Sequence, residues 1–303
     1  MDNGERQSLR VQYGETPGGL AGPAKALLYA TLILVSVFTL IPLVWLACAA
    51  FKGPGDMWSF TFLPYGEVQN PDGTMRPARA TVINFIALFR DFGFGRNLLN
   101  SFFLTATGTS ISLILASLGG FALAKYQFKG KKILMAIMLA TMMIPGSVLL
   151  APLYELICHM HMMNSYAGIL VPGAVGAFGM LLFRQAMLGI PDDLIEAARI
   201  DGCSEIGIYW RIIMPVVRPM SGAFCLMSFM GGWNSFLWPM IVLQSKGLFT
   251  VPIALSQTIG LTGDMQYGLL MAGTFLGVLP PAILFFILQK EFIAGLTAGA
   301  VKG

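Results

Sequence analysis

Six long apolar stretches alternate with polar ones along the chain, at approximately Ala26–Phe51, Leu98–Ala124, Ile133–Ile157, Tyr166–Phe183, Met220–Leu243 and Tyr267–Leu288. Most reach the ~20 residues a helix needs to cross a bilayer, so the pattern predicts an all-α integral membrane protein with six transmembrane helices. The fourth stretch is the shortest, and its Gly168, Gly173, Gly176 and Gly179 suggest close approach by a neighbouring helix. The second carries Asn100, Ser101, Thr105, Thr107, Thr109, Ser110 and Ser112, groups that serve either helix packing or substrate contact. Pro145, Pro152 and Glu155 fall in the third. No pair of short, interrupted helices is expected from the pattern.

The polar stretches differ in character. Residues 1–25 are polar and glycine-rich and read as a flexible cytoplasmic tail. Between Lys52 and Asn97, two turn-forming segments precede a more apolar one, ATVINFIALFRDFGFG, which suits a short interfacial helix. A loop this long serves either a soluble partner or simple connection. The expected organisation is a tail (1–25), a first transmembrane helix with its external loop (26–97), a core of five helices (98–288) and a second tail (289–303).

Gly189–Pro219 is the densest polar segment of the second half, and the rest of the chain reads as scaffolding that positions it. Pro191, Asp192 and Asp193 make a helix start, and Gly202 a helix stop. At 100° per residue, Leu194, Ala197, Ala198 and Asp201 share one face, and Glu196, Arg199 and Ile200 the other. After Gly202 the pattern resumes with Ile206, Tyr209, Trp210 and Ile213 on one side, until Pro215 and Pro219 interrupt it. The result reads as two short helices at an angle.

With 56% hydrophobic and 11% charged residues, the chain is too apolar for a soluble globule. Its net charge of +4 is spread over loops, and no basic surface interleaved with aromatics points to nucleic acid. If the six stretches span, thirteen Lys and Arg lie on the side of the Glu196 loop and both termini, and six on the other. The positive-inside rule makes that loop and both termini cytoplasmic. Cys48, Cys158, Cys203 and Cys225 lack metal-type spacing and read as free thiols. His159 and His161 alone do not make a zinc site.

The spacing of Glu196-Ala197-Ala198, three residues, Gly202, nine residues and Ile212 before Pro215 resembles the EAA loop of bacterial ATP-binding-cassette importer permeases. Met214 stands where that family usually has leucine. From Leu98 to the C-terminus, about two thirds of the chain, the resemblance continues. GGWNSFLWPMIVLQ is similar to the corresponding segment of sugar permeases, and QKEFIAGLTAGAVKG to the tail of maltose-transporter-type subunits.

This resemblance implies a coupling helix that docks in a cleft of a separate ATPase dimer. Glu196 would lie at that contact with Arg199 as its i+3 partner, Ala197 and Ala198 would form the close-packed face beside Asp201, and Gly202 would form the bend. It also implies a second, nonidentical permease, a solute-binding protein, a sugar substrate and a lipid membrane as partners. Trp233, Asn234, Ser235 and Trp238 are the candidate substrate-pathway residues, because aromatic faces stack on sugar CH surfaces and amides and hydroxyls bond sugar hydroxyls; packing or belt roles are the alternative. Thr297, Ala298, Gly299 and Ala300 are the tail positions expected to reach the ATPase.

No G-x-x-x-x-G-K-[ST] stretch occurs, so ATP and Mg are expected on a partner and no cofactor or metal on this chain. No G-x-S-x-G elbow, H-E-x-x-H helix or paired carboxylates suggest an enzyme site. Import of glycerol phosphate or another small solute is an alternative to carbohydrate. An ion-coupled carrier is a distant one, since apart from Glu155 the spans hold almost no acidic groups. A noncatalytic scaffold subunit remains open as a third class.

Overall fold

The computed structural model describes residues 22–53, 56–57, 62–69, 73–258 and 267–298. Most of the tail expected over residues 1–25 lies outside them. The first apolar stretch forms helix α1, Gly22–Ala50, which buries only Ala49 and Ala50 and presents apolar side chains outward along its length. A helix apolar all round that stays uncovered suits lipid rather than water.

The external loop has more structure than its turn-rich sequence suggests. Strands β1, Gly66–Gln69, and β2, Met75–Ala78, pair antiparallel, with Gly66 opposite Ala78. Arg76 on β2 is ion-paired with Asp56. The apolar segment forms helix α2, Ile83–Arg90, as its pattern predicts; one side buries Asn84 and Leu88 against the protein and Ile83, Ile86 and Phe89 stay exposed. Asn84 donates from Nδ2 to the Ala50 carbonyl at 3.0 Å and the Lys52 carbonyl at 2.8 Å, satisfying carbonyls at the end of α1.

The second stretch forms the 32-residue helix α3, Phe94–Lys125. The third is two pieces: α4, Lys131–Met142, and a Gly146–His159 segment whose α-helical part is α5, Leu150–His159, with 94° between the pieces. Pro145 stands extended at the break, where its ring and missing N–H end one helix and open the next. The fourth stretch is a single turn, α6, Ala167–Leu170, an irregular passage containing Pro172 and Gly173, and α7, Ala177–Leu188.

Helix α8, Asp192–Ile200, and a helical segment α9, Glu205–Val216, follow. The fifth stretch gives α10, Arg218–Trp233, a non-helical passage at 234–236, and α11, Leu237–Val242. A short α12, Val251–Gln257, precedes α13, Tyr267–Ala298, which keeps Pro280 and Pro281 inside it. The expectation of uninterrupted spans is therefore corrected at three stretches. Among the described residues three helices are long and apolar enough to cross a membrane on their own, α1, α3 and most of α13, and up to five spans result if each bent pair counts as one. Local apolarity could not reveal the breaks, because the residues that end these helices are embedded in otherwise apolar runs.

Helix α3 is the central element, packed on α7 and α10, while α13 packs on α10, α1 and α2. At Gly120 a Cβ would lie 2.5 Å from Phe183 Cβ and 2.8 Å from the Arg184 backbone nitrogen, so the two backbones touch. Gly168 and Gly179 bear out the expected close approach in the fourth stretch; Gly173 and Gly176 do not. Polar groups near the start of α3 hold the 246–251 loop. Asn100 Nδ2 donates to the Gly247 and Phe249 carbonyls, and the Val251 amide donates to Ser101 Oγ at 2.7 Å.

Gly120→Val should destabilise the protein by about 1–3 kcal/mol, the usual cost of overpacking a tight interface. Gly231→Ala is the control, because nothing lies within 4 Å of the added carbon. The measurement is the melting temperature of each purified variant, with the loss expected only at Gly120.

Candidate functional site

Two regions bring the sequence-predicted residues together: the loop built from α8 and α9, and a cavity beside the broken fifth stretch. In the loop, Pro191 precedes α8 in extended conformation, and Asp192 and Asp193 occupy the first turn. The helix closes at Gly202, whose φ of +80° is the left-handed conformation glycine favours. The Gly202 amide donates to the Arg199 carbonyl at 3.0 Å and the Cys203 amide to the Ala198 carbonyl at 2.9 Å. Ser204 then caps α9 by accepting the Gly207 amide at 3.1 Å. The pair of short helices stands as expected, and α9 meets α10 at 81°.

The faces differ from the helical-wheel assignment. Ile195 and Ala198 are the buried residues of α8, joined to Ile190, Phe183, Met187, Ile208 and Tyr209 in one core cluster. Ala197 lies outside that cluster and is exposed with Leu194, Glu196, Asp201 and Ile200, the last 86% exposed. The small-residue face is thus split: Ala198 belongs to this chain's interior and Ala197 to its surface. In α9 the residues Tyr209–Ile213 form a π-helical turn, which shifts the register. Ile208, Tyr209 and Ile213 point inward while Ile206 and Trp210 are 72% and 52% exposed.

Helix α3 braces the loop through its last residues. Lys125 Nζ donates to the Ile190 carbonyl and to Asp192 Oδ1, the latter at 2.6 Å. Arg199 pairs with Glu205, at 2.7 Å from Nε to Oε1 and 3.2 Å from Nη2 to Oε2, rather than with Glu196. Its guanidinium also stands 6.0 Å from the centre of the Tyr126 ring, and the Tyr126 hydroxyl donates to Glu205 Oε2. Glu196 makes no ion pair among the described residues and stands exposed. The Arg199 and Tyr126 hydrogen bonds hold the Glu205 carboxyl below its usual range. Burial, then the bond to Glu205, pushes the Tyr126 hydroxyl up. Below α8 and α9, Tyr209 and Ser117 of α3 share a 2.6 Å hydrogen bond.

The cavity encloses about 380 Å³ between α3, the irregular fourth stretch and the break after α10. Thr105, Thr109, Ser228, Ser235, Trp238 and Thr250 are among its walls. Ser235 and Trp238 both line it, whereas Trp233 and Asn234 do not. Trp233 is buried, stacked on Phe229 at 5.7 Å, and donates from Nε1 to the Gly277 carbonyl at 2.9 Å. Asn234 donates from Nδ2 to the Met230 carbonyl at 2.9 Å and lines a separate, mostly apolar pocket against α13. Thr109 and Thr250 were not legible as a pair, being far apart in the chain. The tail positions Thr297 and Ala298 form the end of α13, and Gly299 and Ala300 lie outside the described residues. Arg218 pairs with Glu291 at 3.2 Å, fixing the last turns of α13 to the start of α10.

Comparison with known proteins adds an independent assignment. Residues 108–296, more than half of the chain, match the family described as binding-protein-dependent transport system inner membrane component. The arabinooligosaccharides transport system permease protein AraQ of Bacillus subtilis is 42% identical over 204 residues, covering 67% of this chain and 72% of the relative. The lactose transport system permease protein LacG of Rhizobium radiobacter is 34% identical over 203 residues, 67% of this chain and 74% of the relative. The sn-glycerol-3-phosphate transport system permease protein UgpE of Shigella flexneri is 31% identical over 204 residues, 67% and 73% of the two chains. In shape, a chain of a bacterial importer of the acidic polysaccharide alginate superposes with a TM-score of 0.76, at 21% identity over 90% of this chain and 99% of the other. At that identity the likeness speaks for the fold alone.

The Glu205 brace has a definite pH dependence. Its carboxyl is held down in the folded loop, so its stabilising effect is present above the usual carboxylate range and is lost as the pH falls through the lowered value. Hydrogen exchange of the 192–205 amides, corrected for intrinsic rates, should be slow at pH 7 and accelerate only once the pH has fallen below the ordinary carboxylate range. Glu205→Gln should exchange slightly faster at pH 7 and accelerate less in acid; the same acceleration in both proteins would discard the brace.

Proposed function

Because the chain belongs to the family of binding-protein-dependent transport system inner membrane components, we propose that it is the permease subunit of an ATP-driven carbohydrate importer and forms half of the translocation path. It crosses the inner membrane six times, with both termini and the Glu196 loop in the cytoplasm. A second, nonidentical permease supplies the other half of the path. Two ATPase subunits bind ATP and Mg, and a solute-binding protein delivers sugar from outside.

The observation that carries this reading is the geometry of α8. Its inner face, Ile195 and Ala198, is locked into the chain's own core, and Lys125 and Arg199 tie its two ends to α3 and α9. Its outer face offers Asp193, Glu196, Ala197 and Ile200, with Leu194 at the edge, a patch of small and apolar side chains with two carboxylates, to a protein that is not this chain. A helix held rigidly on one side and unpartnered on the other can pass motion from an ATPase cleft into α3. The C-terminal tail, with Thr297, Ala298, Gly299 and Ala300, is the second segment assigned to the ATPase contact.

Carbohydrate is favoured over glycerol phosphate because the arabinooligosaccharide relative is 42% identical and the glycerol phosphate one 31%. The ion-coupled carrier loses one of its counter-arguments, since interrupted helices do occur, but the near absence of acidic groups within the apolar stretches still opposes it.

Purification from native membrane through a tag on the N-terminal segment should recover a second permease, an ATPase and a solute-binding protein, identified by mass spectrometry. Recovery of the chain alone, with uptake driven by an ion gradient, would overturn the importer. In the assembled complex, Ala197→Trp should lower sugar uptake at least tenfold while assembly persists, a loss of about 1.4 kcal/mol or more in coupling. Ala198→Trp would damage the subunit's own core and cannot report on docking. Unchanged uptake in Ala197→Trp would place the ATPase contact elsewhere.

A further inference from the structure

Two weak points in neighbouring helices lie side by side. Helix α10 ends at Trp233, and residues 234–236 are non-helical before α11 begins. Beside them α13 remains helical through Pro280 and Pro281. Proline has no N–H to offer the carbonyl four residues earlier, so the two in succession deprive Leu276 and Gly277 of their partners within the helix. The 276–281 segment is therefore where this 32-residue helix resists bending least. It adjoins the gap in α10, since Asn234, Gly277 and Pro281 line one pocket.

Lipid cannot satisfy a bare carbonyl, and one of these two has a donor from outside the helix. Trp233 Nε1 donates to the Gly277 carbonyl at 2.9 Å, the bond that Pro281 cannot make. The indole is 4% exposed and lies nearly parallel to the Phe229 ring, which fixes the direction of its N–H. A side-chain donor differs from a helical one because it can let go without unwinding the turns on either side.

The two halves of α13 are tied to different parts of the molecule. On the C-terminal side of the prolines, a Cβ at Gly295 would lie 2.7 Å from the Pro219 carbonyl oxygen, and one at Gly222 would lie 2.5 Å from Glu291 Cβ. That half is thus pressed onto the start of α10, which follows directly from α9 of the exposed loop. On the N-terminal side, Leu269 and Ala272 are buried with Leu88 of α2, Phe94 of α3 and Val251 of α12. The pocket at the joint encloses about 380 Å³ and is walled chiefly by apolar side chains, Met230, Val278, Phe285 and Phe286 among them. Close-packed interiors transmit strain, whereas unfilled space beside a joint lets one half turn without displacing its neighbours.

We infer that residues 276–281 and 234–236 form a hinge latched by the hydrogen bond from Trp233 to Gly277, about which the loop-bound half of α13 turns against the half packed on α2 and α12. Trp233 is then a positioning residue that acts through α13. Assigning the hinge to the transport cycle rests on the importer reading above, and extends it by naming where motion of the loop bends this subunit.

The test uses the assembled importer in proteoliposomes with its solute-binding protein. Nitroxide labels at Ile86→Cys and Ile293→Cys, exposed positions on the two sides of the hinge, report the angle as a distance, with Cys48, Cys158, Cys203 and Cys225 changed to serine. Wild type should show two distances whose proportions change between the nucleotide-free complex and the complex trapped with ATP and vanadate. Trp233→Phe keeps the stacked ring and deletes the donor, so it should raise the minor distance of the nucleotide-free complex about threefold or more, the effect of one lost hydrogen bond. Adding Pro281→Ala, which returns an N–H to the Gly277 carbonyl, should restore the wild-type proportions. Pro280→Ala with Pro281→Ala should give one distance under both conditions. The same pair should lower ATP hydrolysis stimulated by the solute-binding protein about tenfold or more, because two restored backbone bonds oppose the bend, with the melting temperature equal to or above that of the wild type.

A single distance, unchanged while the wild type hydrolyses ATP, would overturn the hinge and leave the importer standing. Wild-type proportions in Trp233→Phe, with only a lower melting temperature, would make the bond structural and overturn the latch. Full stimulated hydrolysis in the double alanine variant would overturn the hinge's part in the cycle. A chain that assembles with no ATPase and shows no response to ATP would overturn the importer reading, and in that protein the distances in Trp233→Phe would still decide the latch.

Discussion

The backbone contact between α3 and α7 at Gly120 is the constraint on which the rest depends. With no side chain there, Phe183 and Arg184 of α7 sit directly on α3. The same approach lets Phe121, Phe183, Met187 and Tyr209 fill one core beneath the loop, and it sets where the end of α3 emerges. Lys125 and Tyr126 are then in reach of Asp192 and Glu205, residues 67 and 79 positions further along the chain. In a membrane, where apolar burial gives helices little reason to associate, packing this close is a main source of specificity.

The broken helices follow a different logic. Each interruption frees backbone groups that lipid cannot satisfy, so the breaks must face protein or a wet cavity. Here α3 supplies much of the compensation: Asn97, Asn100 and Ser101 bond the loop that enters α12, and Asn100 also accepts the Tyr166 hydroxyl at 2.7 Å. Further along the same helix, Thr105 and Thr109 pass beyond these structural bonds and line the cavity. One hydroxyl-rich stretch thus serves packing near its start and lines a cavity nearer its middle.

Within the loop, adjacent alanines have opposite roles because α8 is buried on one side alone. Ala198 is small so that α8 can settle on this chain's core, and Ala197 stands on the exposed face. Surface charge pairs such as Arg199 with Glu205 contribute little stability by themselves. Their value here is directional, since they hold two short helices at a set angle that neither could keep alone.

By itself the sequence determined the membrane-embedded helical class, the six apolar stretches, the loop with its start at Pro191 and stop at Gly202, and the pair of short helices. Those features are written in local quantities: apolar run length, dipole-matched carboxylates and a glycine able to take positive φ. Tertiary structure alone decided which face of α8 is inward, that Arg199 turns to Glu205 rather than Glu196, and that Trp238 lines a cavity while Trp233 packs against Gly277. It also decided that Thr109 and Thr250 share a wall. Each of these depends on contacts between residues distant in the chain, and helical periodicity specifies which side chains share a face but not what that face will meet.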